Sequence, residues 1–365
     1  QTCPCEQEEF ENCLVATATP FQCSSYVCRG FLCVDAPTEA STTCQIQNAT
    51  FITADTSFPS EDGTVGCSPQ LVSYALPLWQ AWPEVIELPR DQLPEGIAAD
   101  KERDLLYVSS RGNGQIYEID AATGGGQVVV PGVEGRRTIG LFFDQRTGLL
   151  YACAATVGYV FDVSSGATVV EYAFDGGFVN DVIVFGSHAF FTDSRKELLY
   201  SIVLDGDFAP PTDPNAFRSH PLTGLNFDPT VNNLNGIEVT PDNSKLLLIH
   251  GSFGILYSAP VPAPAAGAVG MELTAVPVTG TELTRGDGLL LEDRTLYVVR
   301  NRENLVTEVL MDEAYGSGSF VTQQTNPNFD VPTTVVRLRE FLYLPNARFG
   351  TSGVDLEFDA VRISM

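Results

Sequence analysis

Between Glu95 and Asp120 the chain alternates short apolar runs with polar breaks. A short run at Gly96–Ala99 stops at the charged turn Asp100–Asp104. The apolar run Leu105–Ser109 meets the Gly-Asn-Gly turn Gly112–Gly114, and Gln115–Ile119 alternates residue by residue. Period-two apolar positions bounded by Gly, Asn and Asp clusters predict three consecutive strands joined as hairpins.

The unit returns from Ile139, Asn180, Asn235 and Asp287, with a weaker copy from Thr333. Ten to twelve residues after each start stands a large apolar residue: Tyr107, Tyr151, Phe190, Leu247, Tyr297 and Tyr343. Six such copies at roughly fifty-residue spacing predict an all-β, six-bladed β-propeller over residues 85–365. A single four-stranded sheet cannot bury both faces, whereas six packed radially can. Val85–Leu88 and Val354–Ile363 are further strand candidates, expected to close the ring by pairing at the last blade. Phe208–Gly224 and Ala259–Gly270 are rich in Pro and Gly and read as loops.

The residues that open the copies are Glu95, Ile139, Asn180, Asn235, Asp287 and Thr333. Equivalent positions on the innermost strands of a propeller face its axis. Glu95, Asn180, Asn235 and Asp287 therefore converge as oxygen donors. Two carboxylates and two amides, with no Cys or His, suit calcium, which takes six to eight oxygens. Without a cation, Glu95 and Asp287 would repel each other in a confined channel. Asn and Asp also cap tight turns, so the four count only as a set. Asp181 is expected to orient the site from behind.

Composition narrows the setting. The 365 residues carry 46 Asp and Glu against 20 Lys and Arg, a net charge of −26. That balance argues against nucleic acid and anionic membranes, and no apolar run approaches a membrane span, so neither partner is expected. Cys3, Cys5, Cys13, Cys23, Cys28, Cys33, Cys44 and Cys67 all precede the repeats, and Asn48-Ala49-Thr50 is a glycosylation sequon among them. An even cysteine set in a short polar segment predicts a disulfide-rich module over residues 1–70 and an oxidising, extracellular setting; its pairing is open. Gln1 reads as a mature end left by signal cleavage. Residues 71–84, with Trp79 and Trp82, are expected to connect module and propeller. Cys153, in a run of small apolar residues, is expected as a buried free thiol.

The constellation resembles the family of senescence marker protein (regucalcin), gluconolactonase, luciferin-regenerating enzyme and diisopropyl fluorophosphatase. Glu95-Gly96 followed by Asp100 is similar to the first-blade motif that supplies the metal glutamate. Asn180-Asp181, Asn235-Gly236 and Asp287-Gly288 are similar to the family's later ligand dipeptides, at intervals of 85, 55 and 52 residues. The resemblance implies a calcium ion in the channel and a calcium-dependent hydrolase of lactones, esters or phosphoesters. It implies Asp287 as nucleophile or general base, with Asn180 and Asn235 holding metal and substrate. The chain departs from the family at the substrate wall. Thr333 and Thr334 stand where the fluorophosphatase has a histidine, and Phe178 where gluconolactonase-like members have an arginine. Arg137, Arg300, Asn301 and Thr333 are the candidate substrate contacts. A second reading stays open: a non-catalytic extracellular coat or filament subunit, joined to other copies or extracellular proteins through residues 1–70.

Overall fold

A computed structural model describes residues 31–33, 44–46, 82–264, 267–351 and 356–365. The chain divides into two compact units, residues 1–81 and 82–365. In the first, strands Phe31–Cys33 and Cys44–Ile46 pair antiparallel, with Cys33 opposite Cys44 in the backbone register. The rest of the expected cysteine module, Asn48 and most of the connector lie outside the described residues.

The second unit is the predicted propeller: six sheets, each with four antiparallel strands. Blade 1 runs through Ile97–Asp100, Leu105–Ser109, Ile116–Asp120 and Gly126–Val130. Blades 2 to 5 follow in chain order, with innermost strands Leu141–Asp144, Val179–Phe185, Leu234–Val239 and Gly286–Glu292. Blade 6 comprises Val336–Leu338, Phe341–Pro345, Phe358–Ser364 and, from the other end of the unit, Val85–Leu88. Phe358 lies opposite Leu88 and Val361 opposite Val85, so the expected closure forms, with its C-terminal strand starting later than the pattern suggested. This pairing hides two strand edges that would otherwise stay open.

The six large apolar residues explain why the sheets stay together. Each is buried in a different interface. Tyr107 lies between blades 1 and 2, and Tyr151 between blades 2 and 3. Phe190 and Leu247 fill the next two interfaces. Tyr297 and Tyr343 fill the remaining two, the last one across the closure. No blade has a core of its own, because one face of each sheet is covered only by its neighbour. Cys153 is a free, buried thiol in the interface between blades 2 and 3.

Turns are shaped by acidic residues at strand ends. The Asp100 carboxylate accepts from the backbone N–H of Glu102 and Arg103, and that of Asp193 from Arg195 and Lys196. These side chains mimic a backbone turn and set the hairpin.

The reading of Phe208–Gly224 as a loop is corrected. Phe217–Thr223 is the outer strand of blade 3, with Pro221 opposite Leu198. Proline is tolerated on an outer strand, where one side of the ladder needs no donor. That outer edge is continued in parallel by Met271–Glu272; Val278–Thr279 does the same for blade 5, and Thr274–Val276 between them completes blade 4. The segment around residues 271–279 thus touches three blades in turn.

Candidate metal centre

The innermost strands bring the opening residues to the axis through a shared backbone device. In blades 3, 4 and 5 the ladder between the first and second strands shifts register between Val179 and Val182, Leu234 and Ile237, and Gly286 and Leu289. Asn180, Asn235 and Asp287 sit within these irregularities. Bulges of this kind turn a side chain out of the sheet's alternation.

Glycine supplies the close packing. A Cβ on Gly96 would lie 2.0 Å from the Ile139 carbonyl oxygen, and one on Gly236 2.4 Å from that of Asp287. The glycine in Glu95-Gly96 and Asn235-Gly236 therefore lets adjacent blades meet backbone to backbone. Polar bonds stitch the same ring. Gly140 N–H donates to the Asn180 carbonyl at 3.0 Å, and the Thr192 hydroxyl donates to that of Asn235 at 2.8 Å. Gly288 N–H donates to the Thr333 carbonyl at 2.8 Å. The Thr333 hydroxyl donates to the Glu95 carbonyl at 2.5 Å, closing the circle across blades 6 and 1.

All six opening residues are buried. Glu95, Asn180, Asn235 and Asp287 line one cavity of about 580 Å³, together with Ile139. Its walls include Leu93, Arg111, Arg137, Phe178, Asn301 and Phe349. A volume of this size suits a small organic ligand.

The amides are oriented by their nitrogens. Asn180 Nδ2 donates to Ser194 Oγ at 2.9 Å, and that hydroxyl donates in turn to the Leu234 carbonyl. The Asp287 carboxylate accepts from Asn301 Nδ2 at 2.6 Å, and the neighbouring Asn235 amide favours its charged form. With its nitrogen engaged on the wall, the Asn180 amide keeps its oxygen as an acceptor at the cavity, and Asn235 lines the same space. Asp181 lies behind them, its carboxylate accepting from the backbone N–H of Val182 and Ile237.

Charge at the site is unbalanced. Burial, followed by the fields of Asp287 and Asp181, drives Glu95 well above the usual carboxylate range. Burial raises Asp287 to about 7, against the opposing bonds from Asn301 and Asn235, and raises Asp181 to about 7. Three neighbouring carboxylates that resist ionising together, two of them buried, are what a cation would relieve. Among the described residues no three His, Cys, Asp or Glu side chains gather as a metal cluster. The donor set here is mixed, two carboxylates and two amide oxygens, and it fits a hard divalent cation.

Two of the candidate substrate contacts do not face the cavity. The Arg300 guanidinium bonds the Thr284 carbonyl and hydroxyl and pairs with Glu303. The Thr333 hydroxyl is consumed by the Glu95 carbonyl. Arg137 and Asn301 do line the cavity. Arg111 was missed, as were Leu93, Asn232 and Phe349. Arg111 was findable, because it follows the second strand of blade 1 as Asn301 follows that of blade 5, and both turns lie at the same end of the channel.

The sequence matches no protein-family model and no curated protein. Solved structures share its fold. The Malassezia sympodialis allergen Mala s 1 aligns at 14% identity over 77% of this chain and 96% of its own, with a TM-score of 0.60. A calcium-binding protein, regucalcin, from Agrobacterium tumefaciens aligns at 13% over 78% and 95%, with a TM-score of 0.55. A luciferin-regenerating enzyme aligns at 12% over 77% and 95%, with a TM-score of 0.53. Regucalcin and luciferin-regenerating enzyme were both expected from the dipeptide pattern. At these identities the likeness is one of fold.

Proposed function

We propose that the chain is a calcium-dependent hydrolase acting on a lactone, ester or phosphoester in the axial cavity. The observation that carries this reading is the placement of Glu95, Asn180, Asn235 and Asp287 together on a cavity large enough for substrate. Glu95, Asn180, Asn235 and Asp287 would hold the ion. Bound calcium would supply Lewis acidity at a carbonyl or phosphoryl oxygen. Asp287 would attack as nucleophile or take a proton from water as general base, with Asn301 holding its carboxylate in position. Asn180 and Asn235 would share in positioning the substrate. Leu93, Ile139 and Phe178 would limit water around the reacting bond.

Extracellular work fits the same proposal, because the acidic balance and the clustered cysteines suit a calcium-rich, oxidising medium. The alternative reading, a non-catalytic extracellular block joined to other copies through its N-terminal unit, is better served by a plugged channel; the open cavity favours the hydrolase.

The test is a panel of esters, lactones and phosphoesters assayed with calcium and with chelator. Activity is expected to vanish on chelation and to fall by roughly two orders of magnitude or more in Asp287→Asn. Absence of turnover across the panel, or turnover that survives either treatment, overturns the proposal.

A further inference from the structure

We infer that the cavity takes an anion: a small ester or lactone whose oxyanion group, phosphate or carboxylate, is gripped by Arg111 and Arg137. For its reacting end this rests on the hydrolase reading above; for the anion it rests on the arginines alone.

The chain has 46 acidic residues against 20 basic ones, so acidic partners are plentiful. Many of its cations take them: Arg103 pairs with Asp100, Arg339 with Asp104, and Arg348 with Asp330 and Asp359. The two guanidinium groups on the cavity wall do not. Arg137 is exposed, and among the described residues no hydrogen bond or ion pair engages it. Arg111 is held by backbone and ring instead: Nη2 donates to the Ala347 carbonyl at 3.0 Å, Nε to the Pro94 carbonyl at 3.5 Å, and the guanidinium lies 4.5 Å from the centre of the Phe349 ring. A guanidinium has five donors, so most of those on Arg111 remain for a ligand. The ring of Phe349 braces it without neutralising it.

The two arginines also act on one another. Arg111 feels the attraction of Glu95 and the repulsion of Arg137. Glu95 is the one carboxylate that answers Arg111, and it belongs to the candidate metal site. With the two carboxylates of that site matched by a divalent ion, two positive charges stand on the wall unopposed. An oxyanion lying between them would satisfy both by charge-assisted, fork-like hydrogen bonds. The apolar surface of Leu93, Ile139 and Phe178 would take the uncharged remainder of the molecule.

The test is calorimetric titration of the calcium-loaded full chain with ligands that carry no bond for it to turn over in a binding measurement. One pair is phenylphosphonate and the neutral dimethylphenylphosphine oxide; the other is phenylacetate and the neutral ketone phenylacetone. The wild type is expected to prefer the charged member of at least one pair, and which pair responds separates a phosphate from a carboxylate group. Arg137→Gln should weaken the charged ligand by roughly tenfold to a hundredfold and leave the neutral one unchanged. Arg111→Gln should do the same, with its melting temperature checked because it also braces Ala347. Because Arg137 bonds nothing among the described residues, Arg137→Gln should fold as the wild type does, and its titration decides the matter even if Arg111→Gln unfolds. Equal binding of charged and neutral ligands overturns the inference. So does charged-ligand binding that chelation abolishes but neither arginine variant changes, since the ion alone would then hold the anion. A panel without turnover counts against the hydrolase and leaves this result standing.

Discussion

Asn301 donates its amide to the Asp287 carboxylate across 2.6 Å, from the short turn Asn301–Glu303 that follows the second strand of blade 5 to the innermost strand that carries Asp287. The contact fixes the carboxylate that the proposed reaction relies on. Asn301→Ala should lower kcat by roughly tenfold to a hundredfold, the cost of a misplaced reacting group, with a smaller change in KM. Steady-state kinetics on any ester turned over by the wild type checks this; an unchanged kcat removes Asn301 from the site's working parts.

Removing divalent ions should make stability depend on pH in a defined direction. Glu95, Asp181 and Asp287 hold their protons more tightly folded than unfolded, the last two up to about 7. At these three groups the folded state binds more protons than the unfolded one, so their contribution to stability is full below the ordinary carboxylate pKa of about 4 and is lost as pH rises through about 7. Melting in chelator should therefore occur at lower temperature at pH 8 than at pH 5, and calcium at pH 8 should restore it. A melting temperature that rises with pH in chelator, or ignores calcium, contradicts the charge balance described for the axis.

Gly140 has no side chain where blade 2 meets blade 3. A Cβ there would lie 2.5 Å from the Asn180 carbonyl oxygen and 2.6 Å from Asp181 Oδ1. Gly140→Ala must push Asn180 and Asp181 aside, and calcium affinity should fall roughly tenfold to a hundredfold. Titration with a calcium-sensitive dye reads this directly, and wild-type affinity in the variant would show that Asn180 is not a ligand.

The interface tyrosines separate packing from polarity. Tyr151 is wholly buried between blades 2 and 3, and its hydroxyl has no hydrogen-bond partner among the described residues. Tyr151→Phe should stabilise the fold by about 1 kcal/mol, by removing an unmet polar group. Tyr151→Ala should cost about 3–5 kcal/mol through lost contact and the cavity left behind. Denaturant unfolding measures both; a destabilising Tyr151→Phe would mean that the hydroxyl is satisfied in solution.

Much of this fold is carried by local pattern. Alternation of apolar residues, acidic turn residues and one large apolar side chain per copy determined the strands, the blade count and the interface fillers, because each depends on residues a few positions apart. The dipeptides Glu95-Gly96, Asn235-Gly236 and Asp287-Gly288 marked the axis for the same reason: a donor and a close backbone approach are adjacent in the chain. The tertiary structure alone decided which polar side chains face the cavity. Thr333 spends its hydroxyl on the Glu95 carbonyl across the closure. Arg111 finds Phe349 and Ala347 more than two hundred residues away. Those partners belong to blades 1 and 6, which become neighbours only when the ring closes, and no run of neighbouring residues carries that information.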